Sequence, residues 1–379
     1  MTKFAGRWIT TYGPMELQQD KRGIRGTYWY QGFPCTIEGQ LLSDGRFSFR
    51  YKDQSGVGQG WFELTSYGQM RGSYCLEGFN QWQDWTGQRE WEGIWESSFG
   101  RLRLIQFDET RVNGFYEGVG PARIEGRLDG KRLVFRYFEP NVQGEGWFEL
   151  ADEALAFAGS WRPDGAPGWG DWHGRRVFPQ MGLTWLVVIE AHWQRSLADG
   201  EYSYGEMLRA FFARLPHVAV RHRYFNDEAS LARWCRELMY IPEPAIVLIS
   251  SHGLPEGVTV NGRTIDTNLV INSLRSACNI NLLHFAACLM LKEENAGDFA
   301  RRIGSTVPYP ISGYTTSIDW GGSAILEFSY FDMILGKGMT PEQAADLLPT
   351  LITYAGDQAP AESPYPAAGF RFLKPGGKS

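Results

Sequence analysis

The hydrophobic pattern changes period near residue 180. Before it, short runs alternate apolar and polar positions, as in Arg46-Phe47-Ser48-Phe49-Arg50-Tyr51, the two-residue period of strands with one buried face. Asp44-Gly45, Asn113-Gly114 and Asp129-Gly130 punctuate these runs with hairpin-turn chemistry. After it, continuous apolar runs such as Leu183-Thr184-Trp185-Leu186-Val187-Val188-Ile189 and Ala245-Ile246-Val247-Leu248-Ile249 mark strands covered on both faces. Helix signals lie among them: Ser203-x-x-Glu206 reads as a capping box, and Thr340-Pro341-Glu342-Gln343 carries proline at the first helical position. Further strands are expected at 218–224, 280–286 and 309–315, and helices at 227–240, 268–277, 295–303 and 322–335. Such alternation predicts a mostly parallel sheet with helices on both faces.

The first half repeats itself. Gly60-Trp61-Phe62-Glu63-Leu64 returns as Gly146-Trp147-Phe148-Glu149-Leu150, and Phe49-Arg50-Tyr51 as Phe135-Arg136-Tyr137. Gly72-Ser73-Tyr74 matches Gly159-Ser160-Trp161, and Asp84-Trp85-x-Gly87 matches Asp171-Trp172-x-Gly174, at a constant offset of 86 to 88 residues. About five strands per copy are expected, the two copies closing on each other as one barrel or sandwich without exposed edges. The chain is therefore multidomain. A duplicated all-β barrel or sandwich covers 1–178 (copies about 6–92 and 93–178), an α/β domain covers 181–356, and an irregular tail rich in proline and glycine covers 357–379. Of 15 tryptophans, 11 precede residue 181. Two readings fit these aromatics: they fill the barrel, or some line a cup or a face that docks a regulatory partner.

Charge and cysteine usage narrow the partners. Lys and Arg number 37 against 43 Asp and Glu, a net charge of −6, which argues against nucleic acid or an anionic membrane as principal partner. No apolar run approaches the roughly 20 residues of a membrane span, and the N-terminus lacks the apolar core of a secretory signal. The five cysteines are scattered, without a CxxC pair. A disulfide framework and a metal site are thus not expected, nor is any cofactor, and a reducing cytoplasm is the natural compartment. Cys35, Cys75, Cys235 and Cys278 read as small core residues. His173, His192, His217 and His222 lack ligand spacing and read as core or surface residues, with Arg221-His222-Arg223 a solvated strand end.

The chemistry gathers at two strand ends. One buried strand finishes in Ile249-Ser250-Ser251-His252-Gly253 and the next in Phe285-Ala286-Ala287-Cys288. In open α/β sheets, functional residues collect at carboxyl strand ends. A thiol beside an imidazole makes a nucleophile–base pair, in which the imidazole helps form the thiolate and later protonates the leaving amine. Gly253 permits close backbone approach to a substrate, so its N–H is a candidate oxyanion donor. His284 lies four residues before Cys288 on the same strand, roughly 13 Å away at about 3.3 Å per residue, too far to be the base.

An apolar strand into His-Gly, then about 35 residues later an apolar strand into Ala-Cys, resembles the caspase-like (clan CD) cysteine peptidases: caspases, metacaspases, gingipain, separase and CHAT-domain proteins. The resemblance covers about 180–356. It implies a cytosolic, bacterial caspase-like endopeptidase with catalytic His252 and Cys288, an oxyanion hole from the N–H groups of Gly253 and Cys288, and a protein or peptide substrate. Gly313-Tyr314-Thr315-Thr316-Ser317-Ile318-Asp319 is similar to the family's Gly-Tyr-x-Ser-Trp-Arg segment, with Asp319 standing near the arginine that binds a P1 aspartate. An acid there, flanked by Thr316 and Ser317, implies selection of a basic P1 residue. Lys292, Arg175 and Arg176 would then be self-processing sites. Only about 20 residues separate Cys288 from Tyr309, which argues against a long cleavable linker. Two rivals remain at this level: a non-catalytic scaffold, and an acyl-transfer or glutamine-hydrolysing thiol enzyme, which the His-before-Cys order disfavours.

Overall fold

The computed structural model describes residues 4–118, 120–151, 153–194, 196, 198–200, 202–292 and 307–375. The chain forms two units, Met1–Phe178 and Pro179–Ser379.

The first unit holds two closed eight-stranded antiparallel barrels, one per repeat. In the first, Gly6–Thr10 pairs with Gln83–Arg89, placing Trp8 opposite Arg89. In the second, Gly93–Ser97 pairs with Gly170–Val177, placing Trp95 opposite Arg176. This corrects the expected ten strands and the expected closure of one copy on the other. Strands such as Gly13–Asp20 point only Met15 and Leu17 fully inward, too sparse a signal to stand out in the sequence.

Alternation does the rest. Phe47, Phe49 and Tyr51 face inward while Ser48, Arg50 and Lys52 face solvent. Most barrel aromatics fill the interior. Trp85 lies between 5.0 and 6.1 Å from the rings of Tyr28, Phe62, Tyr12, Tyr74, Phe49 and Tyr51, in edge-on contacts. Trp172 does the same against Phe99, Tyr116, Phe135 and Phe148. An arginine seals one end of each barrel. Arg89 stacks 4.4 Å from the Trp8 ring and donates to the Tyr67 and Ala5 carbonyls, both at 3.0 Å. Arg176 stacks 4.2 Å from Trp95 and donates to the Ala154 carbonyl at 2.9 Å and to the Glu90 and Glu92 carbonyls. Burial pushes the Arg176 guanidinium below its ordinary value. Arg175 and Arg176, expected as self-processing sites, thus sit in a strand paired on both sides, with Arg176 buried. Proteolysis needs an exposed loop rather than a laddered strand. Glu92, buried at the seam, accepts from Arg103, from the Gln106 N–H at 2.7 Å and from Gln69 of the other barrel at 3.3 Å.

The second unit is built on a six-stranded sheet in the order Val218–Phe225, Thr184–Ala191, Ala245–Ser250, Ile280–Ala286, Ile311–Tyr314, Phe370–Leu373. The first five are parallel and the last runs antiparallel to its neighbour. Phe370–Leu373 corrects the expectation of a wholly irregular tail. Four residues flanked by prolines and glycines carry no strand signal until Ile311–Tyr314 offers its edge. The helices Tyr204–Phe212, Glu228–Glu237, Thr267–Leu274, Trp320–Phe331 and Pro341–Leu351 cover the sheet. Leu186, Val188, Ile246 and Leu248 pack into one core; Val187, Ile189, Val247 and Ile249 pack into another. That two-sided burial is why these strands read as unbroken apolar runs. Ser203, Asp227 and Thr340 cap their helices as the sequence indicated. The helix expected at 295–303 lies outside the described residues. Among the described residues, no helix is long and apolar enough to cross a membrane.

Candidate active site

Two parallel strands deliver His252 and Cys288 to one edge. Ala245–Ser250 and Ile280–Ala286 stay paired up to Ser250 opposite Ala286, so His252 and Cys288, each two residues further on, emerge side by side. The Ser251 N–H still donates to the Ala286 carbonyl at 3.3 Å. His252 then opens a small three-stranded sheet, pairing with Thr259. Gly253 lies directly on the Cys288 backbone: a Cβ there would stand 2.2 Å from the Cys288 carbonyl oxygen and 2.8 Å from its nitrogen. Only glycine permits that approach. The sequence suggested contact with a substrate; the neighbour that demands the glycine is Cys288 itself.

His252 and Cys288 line one cavity of about 100 Å³ together with Trp193, Tyr204, Trp320 and Glu327. The Cys288 thiol lies 3.5 Å from the Ile318 carbonyl oxygen and receives the Ile318 N–H at 3.4 Å. Immediately after it, Leu289 has φ 61°, a rare conformation for a leucine, and its N–H donates to the Thr316 carbonyl at 3.1 Å. The sharp turn holds Cys288 at the cavity wall.

A buried carboxylate braces the imidazole. The His252 ring meets the Trp193 ring edge-on, centroids 5.0 Å apart, and the Trp193 indole N–H donates to Glu190 Oε1 at 2.5 Å. Glu190 also accepts from the Tyr204 and Gly205 N–H groups at 2.7 and 3.0 Å and from the Ser203 hydroxyl at 2.7 Å. His222 Nε2 lies 2.7 Å from Glu190 Oε2, so His222 is a buried partner rather than part of a solvated strand end. Burial alone would raise the Glu190 carboxyl, but His222 and these donors outweigh it and hold the group below its ordinary value.

The residues expected to read P1 are engaged elsewhere. Asp319 is exposed and caps the helix Trp320–Phe331, accepting the Gly322 N–H at 3.0 Å. Thr316 donates to the Ala367 and Ala368 carbonyls at 2.8 and 2.7 Å, and Ser317 is exposed. An aspartate just before a helix serves its first turn, and that geometry wins over the pocket here. The cavity's acid is Glu327, buried in that helix. Its Oε1 accepts the Tyr314 hydroxyl at 2.8 Å and lies 3.2 Å from His284 Nε2. Its Oε2 and the Tyr204 hydroxyl are buried without a well-aligned hydrogen bond. His284 also meets Ser312 Oγ at 2.8 Å and belongs to this network.

Cys35, Cys75 and Cys235 are buried as expected, whereas Cys278 is exposed. Lys292 closes a turn, its N–H donating to the Leu289 carbonyl at 3.2 Å, and the chain from 293 to 306 lies outside the described residues. Sequence reasoning missed Glu190, Trp193, Glu327 and Leu289. A usable signal existed for the two acids, since each interrupts an apolar run, and a buried carboxylate persists only when partnered.

No protein-family model matches the chain, and no curated protein matches it. Among solved structures, two of the vaccine antigen transferrin-binding protein B from Haemophilus parasuis Hp5, a double and a single mutant, are similar. The double mutant has TM-score 0.17 and 13% identity, over 45% of this chain and 44% of that one. The single mutant has TM-score 0.17 and 12% identity over the same shares. The chain thus spans less than half the length of those proteins, and at that score nothing about its activity follows.

Proposed function

We propose that the protein is a cysteine-type endopeptidase whose α/β unit is caspase-like, with the barrel unit serving regulation or recruitment of a protein partner. The observation that carries this reading is the packing of Gly253 on the Cys288 backbone, with His252 and Cys288 lining one cavity. The Cys288 thiolate attacks the scissile carbonyl. The N–H groups of Gly253 and Cys288 receive the oxyanion, and His252 protonates the departing amine. Water then hydrolyses the thioester, with His252 as base. Selection of a basic P1 residue rests on Glu327 rather than Asp319, because Glu327 is the acid that lines the cavity.

A peptidyl chloromethylketone with P1 Arg, followed by peptide mapping, tests the nucleophile. Labelling of Cys288 and not Cys278 is expected. Cys288→Ala and His252→Ala should each lower kcat by roughly 10⁴-fold or more, with unchanged circular dichroism. Cys278→Ala should keep full activity. Glu327→Gln should cost roughly 10²–10³-fold in kcat/KM for P1 Arg, and less for an uncharged P1. A folded protein that neither labels nor cleaves across a P1 library would instead be a non-catalytic scaffold.

A further inference from the structure

The first barrel keeps a cup at one end. A cavity of about 190 Å³ is lined there by Tyr12, Tyr28, Tyr30, Tyr51, Tyr74 and Trp85, with Asp53 and Gln83 beside them. The geometry points to a binding site for a methylated ammonium group, carried by a choline-type head group or a methylated lysine, separate from the thiol site.

Four observations converge on that chemistry. The rings of Tyr12, Tyr51 and Tyr74 stand at 85°, 89° and 74° to the plane of Trp85, so the cup is walled by aromatic rings around an indole floor. Aromatic faces attract cations that shed their water cheaply. Asp53 is the one acidic residue among the lining residues, and no lysine or arginine is among them to repel a cation. Burial raises the hydroxyls of Tyr28, Tyr51 (up to about 12) and Tyr74, so these walls stay neutral.

The acceptors decide between cations. Asp53 already receives the Ser55 N–H at 2.7 Å and the Tyr28 hydroxyl at 3.1 Å, and Gln83 Oε1 receives the Tyr74 hydroxyl at 2.6 Å. A primary ammonium or a guanidinium brings three to five N–H donors that these engaged groups do not match. A fully methylated ammonium brings none. At about 190 Å³ the space is also smaller than the roughly 300–1,000 Å³ of drug-sized sites, so it suits a head group with its tail outside. Exposed Phe33, paired with Tyr30 across a hairpin, and exposed Phe79, whose N–H donates to the Leu76 carbonyl at 3.1 Å, offer apolar surface to such a tail.

The test uses the full-length protein, titrated with choline, a trimethyllysine peptide, lysine and the neutral tert-butyl analogue of choline, read by calorimetry and tryptophan fluorescence. At least one methylated cation should bind about tenfold or more tightly than the neutral analogue and than lysine. Tyr30→Ala and Asp53→Asn should each weaken it roughly 2- to 30-fold while leaving the melting temperature and binding of the neutral analogue nearly unchanged. Choline binding points to a free head group; binding of the peptide alone points to a protein-borne one. Equal binding of the neutral analogue, tighter binding of lysine, or no saturable binding at millimolar ligand overturns the assignment.

Discussion

Trp8, Arg89 and Trp85 in the first barrel, and Trp95, Arg176 and Trp172 in the second, stand 87 residues apart and do the same jobs. Thr10 and Ser97 even repeat one turn, each donating its hydroxyl to the glycine carbonyl three residues on at 2.7 Å. At the cup the copies part. Tyr12 corresponds to Phe99, Tyr30 to Gly118 and Tyr74 to Trp161, whose ring lies 5.2 Å from Phe99 and 5.7 Å from Tyr137. Tyr28 with Asp53 is kept as Tyr116 with Glu139, the hydroxyl donating at 3.1 and 2.7 Å respectively. Closure fixes the positions where strands meet and rings interlock. The cup answers to whatever it meets, and there the duplicate was free to drift.

Paired substitutions can break this comparison. Trp85→Ala and Trp172→Ala should each cost about 3–5 kcal/mol in urea unfolding followed by tryptophan fluorescence, because each removes a fully buried hub. A clear inequality between them would deny that the two cores are equivalent. Gly72→Ala and Gly159→Ala should follow, at about 1–3 kcal/mol each. A Cβ at these positions would stand 1.8 Å from the Trp61 carbonyl oxygen and 1.9 Å from that of Trp147. Smallest are the cup positions. Tyr30→Ala and Gly118→Ala should each shift stability by about 0.5 kcal/mol or less, since Tyr30 ends its strand with a half-buried side chain and Gly118 lies just past the end of the matching one. A large loss at Tyr30 would make it a core residue and remove the distinction between the cup and the barrel wall.

The repeat was legible because words such as Gly-Trp-Phe-Glu-Leu recur unchanged. How it closes was not, because Trp8 meets Arg89 across some eighty residues and no local pattern announces that pairing. His252 and Cys288 were legible because each ends an unmistakable apolar strand, and the parallel register brings such ends together. Asp319 misled because the same short segment before a helix can be a cap or a pocket wall, and the Gly322 N–H claims it. Arg175-Arg176 read as a self-processing doublet; only the Trp95 ring against Arg176 explains why that side chain is inside. Glu327 is one acid in an apolar helix, and only the fold brings it to the same cavity as Cys288.

The strand Phe370–Leu373 also sets an order of birth. Each barrel finds all its partners within its own repeat, so both can close while later residues are still being made. The sheet that presents Cys288 is different. Its edge beyond Ile311–Tyr314 stays uncovered until residue 373 has been synthesised. A nascent chain therefore carries two finished barrels before it carries the finished sheet whose strand ends present His252 and Cys288.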